Sequence, residues 1–190
     1  MTSILSWSQD FDRYFTFSWD VNKPLTNTRW IDETSSFGFK VGYHKLLSDK
    51  FSVGVDVTDY VYHHYEPKAT FVTEGGAITT DFFNYVYSYG LVANGKYFIP
   101  TQNSKIMPFL GFGAGVSANR FVQSYNIYTD RDDSFGFLAR PEAGVLLSFG
   151  GKVGIIASAH YDYSTAGSDY FEYSGFNNYG VNLGLVFMSY

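Results

Sequence analysis

The chain has 190 residues, about one domain's worth, with 19 Phe, 17 Tyr and 3 Trp against 16% charged residues and a net charge of −5. It has no cysteine, which excludes disulfides, thiolate metal sites and thiol nucleophiles, and its scattered basic residues form no stripe for a phosphate backbone, which argues against nucleic acid as a partner. No stretch approaches the roughly 18 apolar residues of a membrane helix, so a helical membrane protein is excluded and a membrane β-barrel is not.

The dominant period is two. From Tyr14, Phe15, Phe17, Trp19 and Val21 share one face, and Thr16, Ser18, Asp20 and Asn22 the other, the pattern of a strand with one apolar and one polar side. The second strand, SFGFKVGYHK, sets Phe37, Phe39, Val41 and Tyr43 against Gly38, Lys40, Gly42 and His44. The third, from Phe51, sets Val53, Val55 and Val57 against Ser52, Gly54, Asp56 and Thr58. A fourth is predicted from about Phe82 to Ile99, with Tyr85, Tyr87, Tyr89, Leu91 and Ala93 opposite Ser88, Gly90, Asn94 and Lys96.

In the fifth, PFLGFGAGVSAN, Leu110, Phe112, Ala114 and Val116 oppose a row of Gly, Ser and Asn. The sixth sets Phe135, Phe137, Ala139, Ala143, Val145 and Leu147 against Gly136, Arg140, Glu142 and Gly144. The seventh opposes Val153, Ile155, Ala157, Ala159 and Tyr161 to Gly154, Ser158, His160 and Asp162, and the eighth opposes Tyr179, Val181, Leu183, Leu185 and Phe187 to Asn178, Gly180, Asn182 and Gly184.

The connections alternate in length. Short turns fall at LLSDK, PTQNSK and FGGK, while longer polar segments such as NKPLTNTRWIDETS and EPKATFVTEGGAITT follow strands one, three, five and seven. These segments read as four long loops. Short turns at one end and long loops at the other are the layout of an outer-membrane barrel, with the loops outside the cell. The even strand number brings both termini to the short-turn end.

Alternation is shared by a soluble barrel with a greasy interior and a membrane barrel with a polar one. The polar face decides between them, because a water-facing surface carries about 25–35% charge. This face is mostly Gly, Ser, Asn and Thr with isolated ionisable residues, which suits a narrow lumen. An eight-stranded barrel is just wide enough for side chains to fill, so its glycines would seat large groups such as Arg140 and Tyr60. The other face, rich in Phe, Tyr, Val and Leu, suits lipid with aromatic girdles. The expected fold class is all-β, an eight-stranded antiparallel up-and-down transmembrane barrel with a polar-filled lumen.

Glycine-alternating PFLGFGAGV, followed by ARPEAGVLLSFG and the closing YGVNLGLVFMSY, resembles the small OmpA-like and OmpX-like outer-membrane barrels, particularly the barrel-only proteins of Bacteroidota. The resemblance spans the chain from Tyr14 onward and implies integral outer-membrane localisation, a signal peptide in the precursor, outer-membrane lipid as surroundings and no cofactor. Residues 1–13, MTSILSWSQDFDR, carry no signal-peptide pattern and are expected as a periplasmic lead-in to a barrel over 14–190. Tyr190 departs from the family, being out of phase with Phe187 and Leu185, unless a bulge restores the phase or the natural C-terminus differs.

The ionisable residues expected in the lumen are Asp20, Lys40, Asp56, Lys96, Arg140, Glu142, His160 and Asp162. Buried charges need partners, and Lys40, Asp56, Arg140 and Glu142 lie mid-strand, so a cross-lumen network that stiffens the barrel is expected. An ion gate is the alternative. No catalytic or metal site is assigned. The His-x-Ser order of PagL-like lipid A deacylases is missing, since His44, His63, His64 and His160 are followed two positions on by Leu46, Tyr65, Glu66 and Asp162. The reverse order, Ser158, His160 and Asp162, falls on the lumen face, beyond reach of a lipid chain.

His63 and His64 point to opposite faces of strand three, which disfavours a shared metal. Gly111, Gly113 and Gly115 lack the third glycine of a dinucleotide loop and open no helix. TDRDDSFG, with Asp130, Asp132 and Asp133, has Phe135 where a calcium loop needs glycine, and reads as solvated loop. Tyr125, Tyr128, Tyr170 and Tyr173 are candidates for a loop binding surface or for plain loop packing. The function expected is structural, surface-binding or accessory to a larger outer-membrane complex; a narrow pore and a lipid-modifying enzyme are the alternatives.

Overall fold

A computed structural model describes residues 11–73, 76–103 and 105–189. Eight strands follow in order: β1 (Arg13–Pro24), β2 (Ser35–Ser48), β3 (Phe51–Thr73), β4 (Gly76–Phe98), β5 (Ile106–Tyr125), β6 (Tyr128–Ser148), β7 (Val153–Ser164) and β8 (Asn178–Ser189). Each pairs antiparallel with its chain neighbour, and β1 pairs with β8 from Arg13↔Ser189 to Pro24↔Asn178, which closes the ring. Closure leaves the strands no edges at the level of the ring. The Asp12 amide donates to the Ser189 carbonyl at 3.0 Å, so both described ends of the chain meet at the short-turn rim.

The alternation places the faces as the period requires. Phe17, Trp19, Leu91, Phe112, Val116, Phe137, Val181 and Leu183 are exposed outward. Ser18, Asp20, Lys40, Asp56, Lys96, Arg140 and Asp162 are buried inside. Inward glycines make the room: a Cβ on Gly90 would meet Thr58 Oγ1 at 2.5 Å and Leu138 Cδ2 at 3.0 Å.

The wall is uneven. β1 has 12 residues and β3 has 23, and the excess amounts to roughly 35 Å of strand at about 3.3 Å per residue. Two of the four predicted loops are therefore strands. Within EPKATFVTEGGAITT, pairing resumes after a bulge between Glu66 and Ala69 and runs from Ala69↔Thr80 to Thr73↔Gly76. TDRDDSFG forms the outer part of β6, paired from Tyr125↔Tyr128 inward. β-branched and aromatic residues favour extended pairing even where the surface is polar; the Thr70 and Thr79 hydroxyls meet across the hairpin at 2.8 Å. Asn126 turns the β5–β6 hairpin at φ 50°, a left-handed conformation Asn tolerates.

Irregular loops do follow β1 and β7, and they fold over the barrel mouth. The Leu25 amide donates to the Asn177 carbonyl at 2.9 Å, and Asn27 Nδ2 to the Gly175 carbonyl at 2.8 Å.

The lumen is not polar throughout, which corrects the expectation from sequence. At the turn end, Phe11, Tyr14, Phe98, Met107, Phe109, Leu146, Ile156, Val186 and Met188 pack into one buried cluster. At the loop end, Trp30, Ile31, Tyr60, Tyr62, Val86, Phe121 and Phe176 form a second. Polar groups occupy the layer between. At the turn end the cause is that both faces turn apolar near several strand ends, as in KYFI, VLLSF and LVFMS; at the loop end, Trp30, Ile31 and Phe176 come from the loops after β1 and β7. The phase of Tyr190 and the structure of residues 1–10 lie outside the described residues.

Candidate functional site: the closed lumen

The eight ionisable residues predicted for the lumen are all inside it, each no more than 6% exposed. They lie in three hydrogen-bonded groups. Toward the loops, Arg140 on β6 grips Asp162 on β7 with two bonds, Nε to Oδ1 at 2.6 Å and Nη2 to Oδ2 at 2.7 Å. Its Nη2 also reaches the Tyr60 hydroxyl at 3.2 Å and Thr58 Oγ1 at 3.3 Å on β3. The Tyr60 hydroxyl in turn donates to Asp20 Oδ2 at 3.2 Å, and Asn22 Nδ2 donates to Asp20 Oδ1 at 3.0 Å. His160 Nε2 lies 3.1 Å from Asn22 Oδ1 and 4.0 Å from Asp20 Oδ2.

Toward the turns, Glu142 is the hub. Lys40 Nζ donates to its Oε1 at 2.6 Å across the barrel from β2, Lys96 Nζ stands 3.5 Å from its Oε2, and the Ser158 hydroxyl donates to Oε1. Asp56 is held separately, with His44 Nε2 at 3.0 Å from Oδ1 and Asn94 Nδ2 donating to Oδ2 at 2.6 Å. Tyr14 stacks on His44 with centroids 4.6 Å apart, and Lys96 Nζ sits 5.1 Å over the Phe109 ring. The polar layer is thereby bolted to the apolar cluster beneath it.

His44 is the charged-network partner missing from the sequence-based set. It shares a face with Lys40 four residues earlier, so its phase alone places it inside. Four carboxylates, Asp20, Asp56, Glu142 and Asp162, face three fixed cations, Lys40, Lys96 and Arg140. Histidine, tyrosine and asparagine donors serve the remaining acceptors, consistent with the rule that buried charge must be paired and hydrogen-bonded.

Ser158, His160 and Asp162 do not form a relay. Ser158 bonds Glu142, His160 meets Asn22 and Asp162 is taken by Arg140. A nucleophile needs its base within hydrogen-bond reach, and here each member has a different partner.

No protein-family model matches the sequence, and no curated protein does either. Among solved structures, Neisserial surface protein A (NspA) superposes with a TM-score of 0.60 at 18% identity, covering 93% of this chain and 96% of that one. Ail, the attachment invasion locus protein of Yersinia pestis, superposes with a TM-score of 0.53 at 11% identity, covering 93% and 97%. The chain has the fold of the small eight-stranded outer-membrane barrels.

Around the mouth of this barrel, the remaining candidates find partners of their own. His63 and His64 leave β3 on opposite faces, yet both meet the loop after β1: His63 Nε2 is 2.9 Å from Glu33 Oε2, and His64 Nδ1 is 3.0 Å from Asp32 Oδ1. They hold that loop against β3, beyond the outermost β2–β3 pair, Phe39↔Asp59. Asp130 accepts from the Tyr125 hydroxyl at 2.9 Å, Asp132 from Ser168 Oγ at 2.6 Å, and Asp133 from Arg120 Nε at 2.7 Å. Bonding to Asp130 pushes the Tyr125 hydroxyl's pKa up. Tyr173 packs against Trp30 at 5.5 Å, whereas Tyr128 and Tyr170 are exposed.

Proposed function

We propose that the protein is a non-enzymatic integral barrel of the bacterial outer membrane with a structural, surface-binding or accessory-subunit role. In this reading residues 1–13 and the short turns lie in the periplasm, 14–190 form the barrel, and the tall hairpins and mouth loops stand outside the cell. The outward Phe, Leu, Val and Trp side chains on all sides of the ring support immersion in lipid, because 12-residue strands suffice to cross the hydrocarbon core.

The observation that carries the reading is how the lumen is used up. A charged network fills its middle, and a buried apolar cluster lies at either end. What remains for interaction is the wall and the projecting outer surface. The names of the two structural neighbours, a surface protein and an attachment protein, support the same direction.

The test is a mild-detergent pull-down of the tagged protein from its native outer membrane, with mass spectrometry of what stays bound. A near-stoichiometric larger protein makes it an accessory subunit; recovery alone favours a stand-alone structural or adhesive barrel. Planar-bilayer recording separates the rival pore. Silence from wild type and from Arg140→Ala supports a closed barrel, and a selective, gated current from wild type would replace this reading with the pore. Lipid A profiles that change with expression of the protein would instead point to a lipid-modifying enzyme.

A further inference from the structure

Outside the lumen, a broad concavity lies where β4 outruns the β5–β6 hairpin. The outermost β4–β5 pair is Phe83↔Ser124, and beyond it the edge of β4 at Thr79–Asp81 floors a cleft of about 870 Å³. Tyr125 and Tyr128 line it from the β5–β6 hairpin, and Tyr65 and Lys68 from β3.

The wall rings are braced. Tyr65 packs on Phe83 with centroids 4.9 Å apart, and Tyr125 packs on Phe82 at 5.3 Å and on Tyr128 at 5.8 Å. Bracing holds the rings in place before a ligand arrives, so little side-chain entropy is left to lose. Polar groups stand at the margins: the Tyr65 hydroxyl donates to Asp81 Oδ2 at only 3.5 Å, and Lys68 has no ion-pair partner among the described residues. Flat apolar rings with carboxylate, ammonium and hydroxyl groups around them complement a molecule that has apolar faces and a hydroxyl rim.

We infer that this cleft is a saccharide-binding site, with Tyr65 and Tyr128 as stacking surfaces and Asp81 and Lys68 as acceptor and donor for ring hydroxyls. Its size falls within the usual range of ligand sites. An extended peptide is a poorer fit, because among the described residues β4 lines the cleft with Thr79–Asp81 alone, and the bulge between Glu66 and Ala69 bends the adjoining strand. The assignment deepens the surface-binding reading and rests on it for exposure of the cleft outside the cell.

The test is an amide NMR titration in lauryldimethylamine-oxide micelles, since a maltoside detergent would itself present sugar. The probes are maltose, lactose and N,N′-diacetylchitobiose, with rough lipopolysaccharide in nanodiscs as a second arm. Saturable shifts at Thr79–Asp81 and Asn126 are expected, weakened about tenfold by Tyr128→Ala or Tyr65→Ala. Heat-dependent gel migration checks that both variants remain folded. A response to soluble sugars assigns a glycan free of the membrane, and a response to lipopolysaccharide alone assigns the sugar of a neighbouring lipid.

No saturable shift in either arm overturns the assignment, as do shifts that the tyrosine variants leave intact. Shifts from an eight-residue Thr–Val peptide with none from sugar reassign the cleft to strand addition. Exposure is read separately. The chain has no cysteine, so Thr79→Cys labelled on whole cells by a membrane-impermeant maleimide tests the outward orientation alone. Labelling without sugar binding sinks only the cleft, and sugar binding without labelling sinks the surface reading.

Discussion

Arg140 and Asp162 lie on neighbouring strands and meet inside the barrel through two hydrogen bonds, 2.6 and 2.7 Å long, one to each carboxylate oxygen. The same guanidinium reaches Tyr60 and Thr58 on β3. One side chain therefore ties β6 to β7 along the wall and to β3 across the lumen. This matters beside Pro141, where β6–β7 pairing breaks off between Ala139↔Tyr163 and Glu142↔His160 because proline brings no N–H to the ladder. The side-chain pair bridges the interval that the backbone leaves.

Arg140→Ala should accordingly cost about 3–5 kcal/mol, the usual loss when one partner of a buried ion pair is removed and the other is left uncompensated. Arg140→Met with Asp162→Leu should recover most of that loss, since neither charge is then stranded. Urea unfolding of both variants in lipid vesicles reads the difference. Equal losses in the single and double variants would mean that packing, rather than charge, governs this layer.

The network was legible from sequence because a period of two needs only phase, and phase puts Lys40, Asp56, Arg140 and Glu142 on one side however the strands twist. Their partners were not legible, because Lys40–Glu142 joins β2 to β6 across the lumen and strand register alone does not specify that distance. The apolar end clusters escaped notice for a different reason. Phe98, Phe109, Ile156 and Val186 sit in stretches where both faces are apolar, so alternation carries no information there. In the tall hairpins the conflict ran between composition and pairing: Thr, Asp and Arg suggested loop, and cross-strand pairs such as Thr70 with Thr79 kept the chain extended.

Glycines divide into those the wall needs and those it tolerates. At Gly115 a Cβ would collide with the Leu91 carbonyl oxygen and stand 2.8 Å from Val92 Cα, backbone atoms that move only with the strand. At Gly95 it would meet the Phe51 ring at 3.0 Å, and that ring is 39% exposed and free to turn outward. Gly115→Ala should cost about 1–3 kcal/mol as an overpacked site, and Gly95→Ala clearly less. Unfolding midpoints of the two variants under one condition make the comparison, and a larger loss at Gly95 would refute it.

Asp133, on the outer part of β6, accepts hydrogen bonds from Arg131 and from Arg120, which hold its carboxyl below the usual range, Arg131 contributing most. A lowered folded-state value makes the contribution to stability present above the unfolded value and lost as pH falls through the folded one. The group is surface-exposed, so salt should weaken the effect. Carboxyl-carbon NMR should give a midpoint below ~3.9, rising in 1 M salt and in Arg131→Ala. A midpoint indifferent to both changes would show that the arginines do not hold the carboxylate in solution.

Trp30 closes the mouth. It packs at a tilt on Phe171 at 5.0 Å, Tyr173 at 5.5 Å and Phe121 at 5.8 Å, while its carbonyl accepts from Asn84 Nδ2 at 3.1 Å. The loop after β1 and the loop after β7 thus share one anchor with the barrel wall. Trp30→Ala removes the ring and leaves a hole that its neighbours only partly fill, a change that costs about 3–5 kcal/mol where the site cannot collapse. The loss should be local. Hydrogen exchange should quicken at Leu25, Ile31 and Phe176, whose amides bond within and between these loops, while amides of β6 and β7 around Arg140 and Glu142 keep their protection. If exchange rose equally in both regions, the mouth and the charged layer would be one cooperative unit, and the loops could not loosen without opening the barrel.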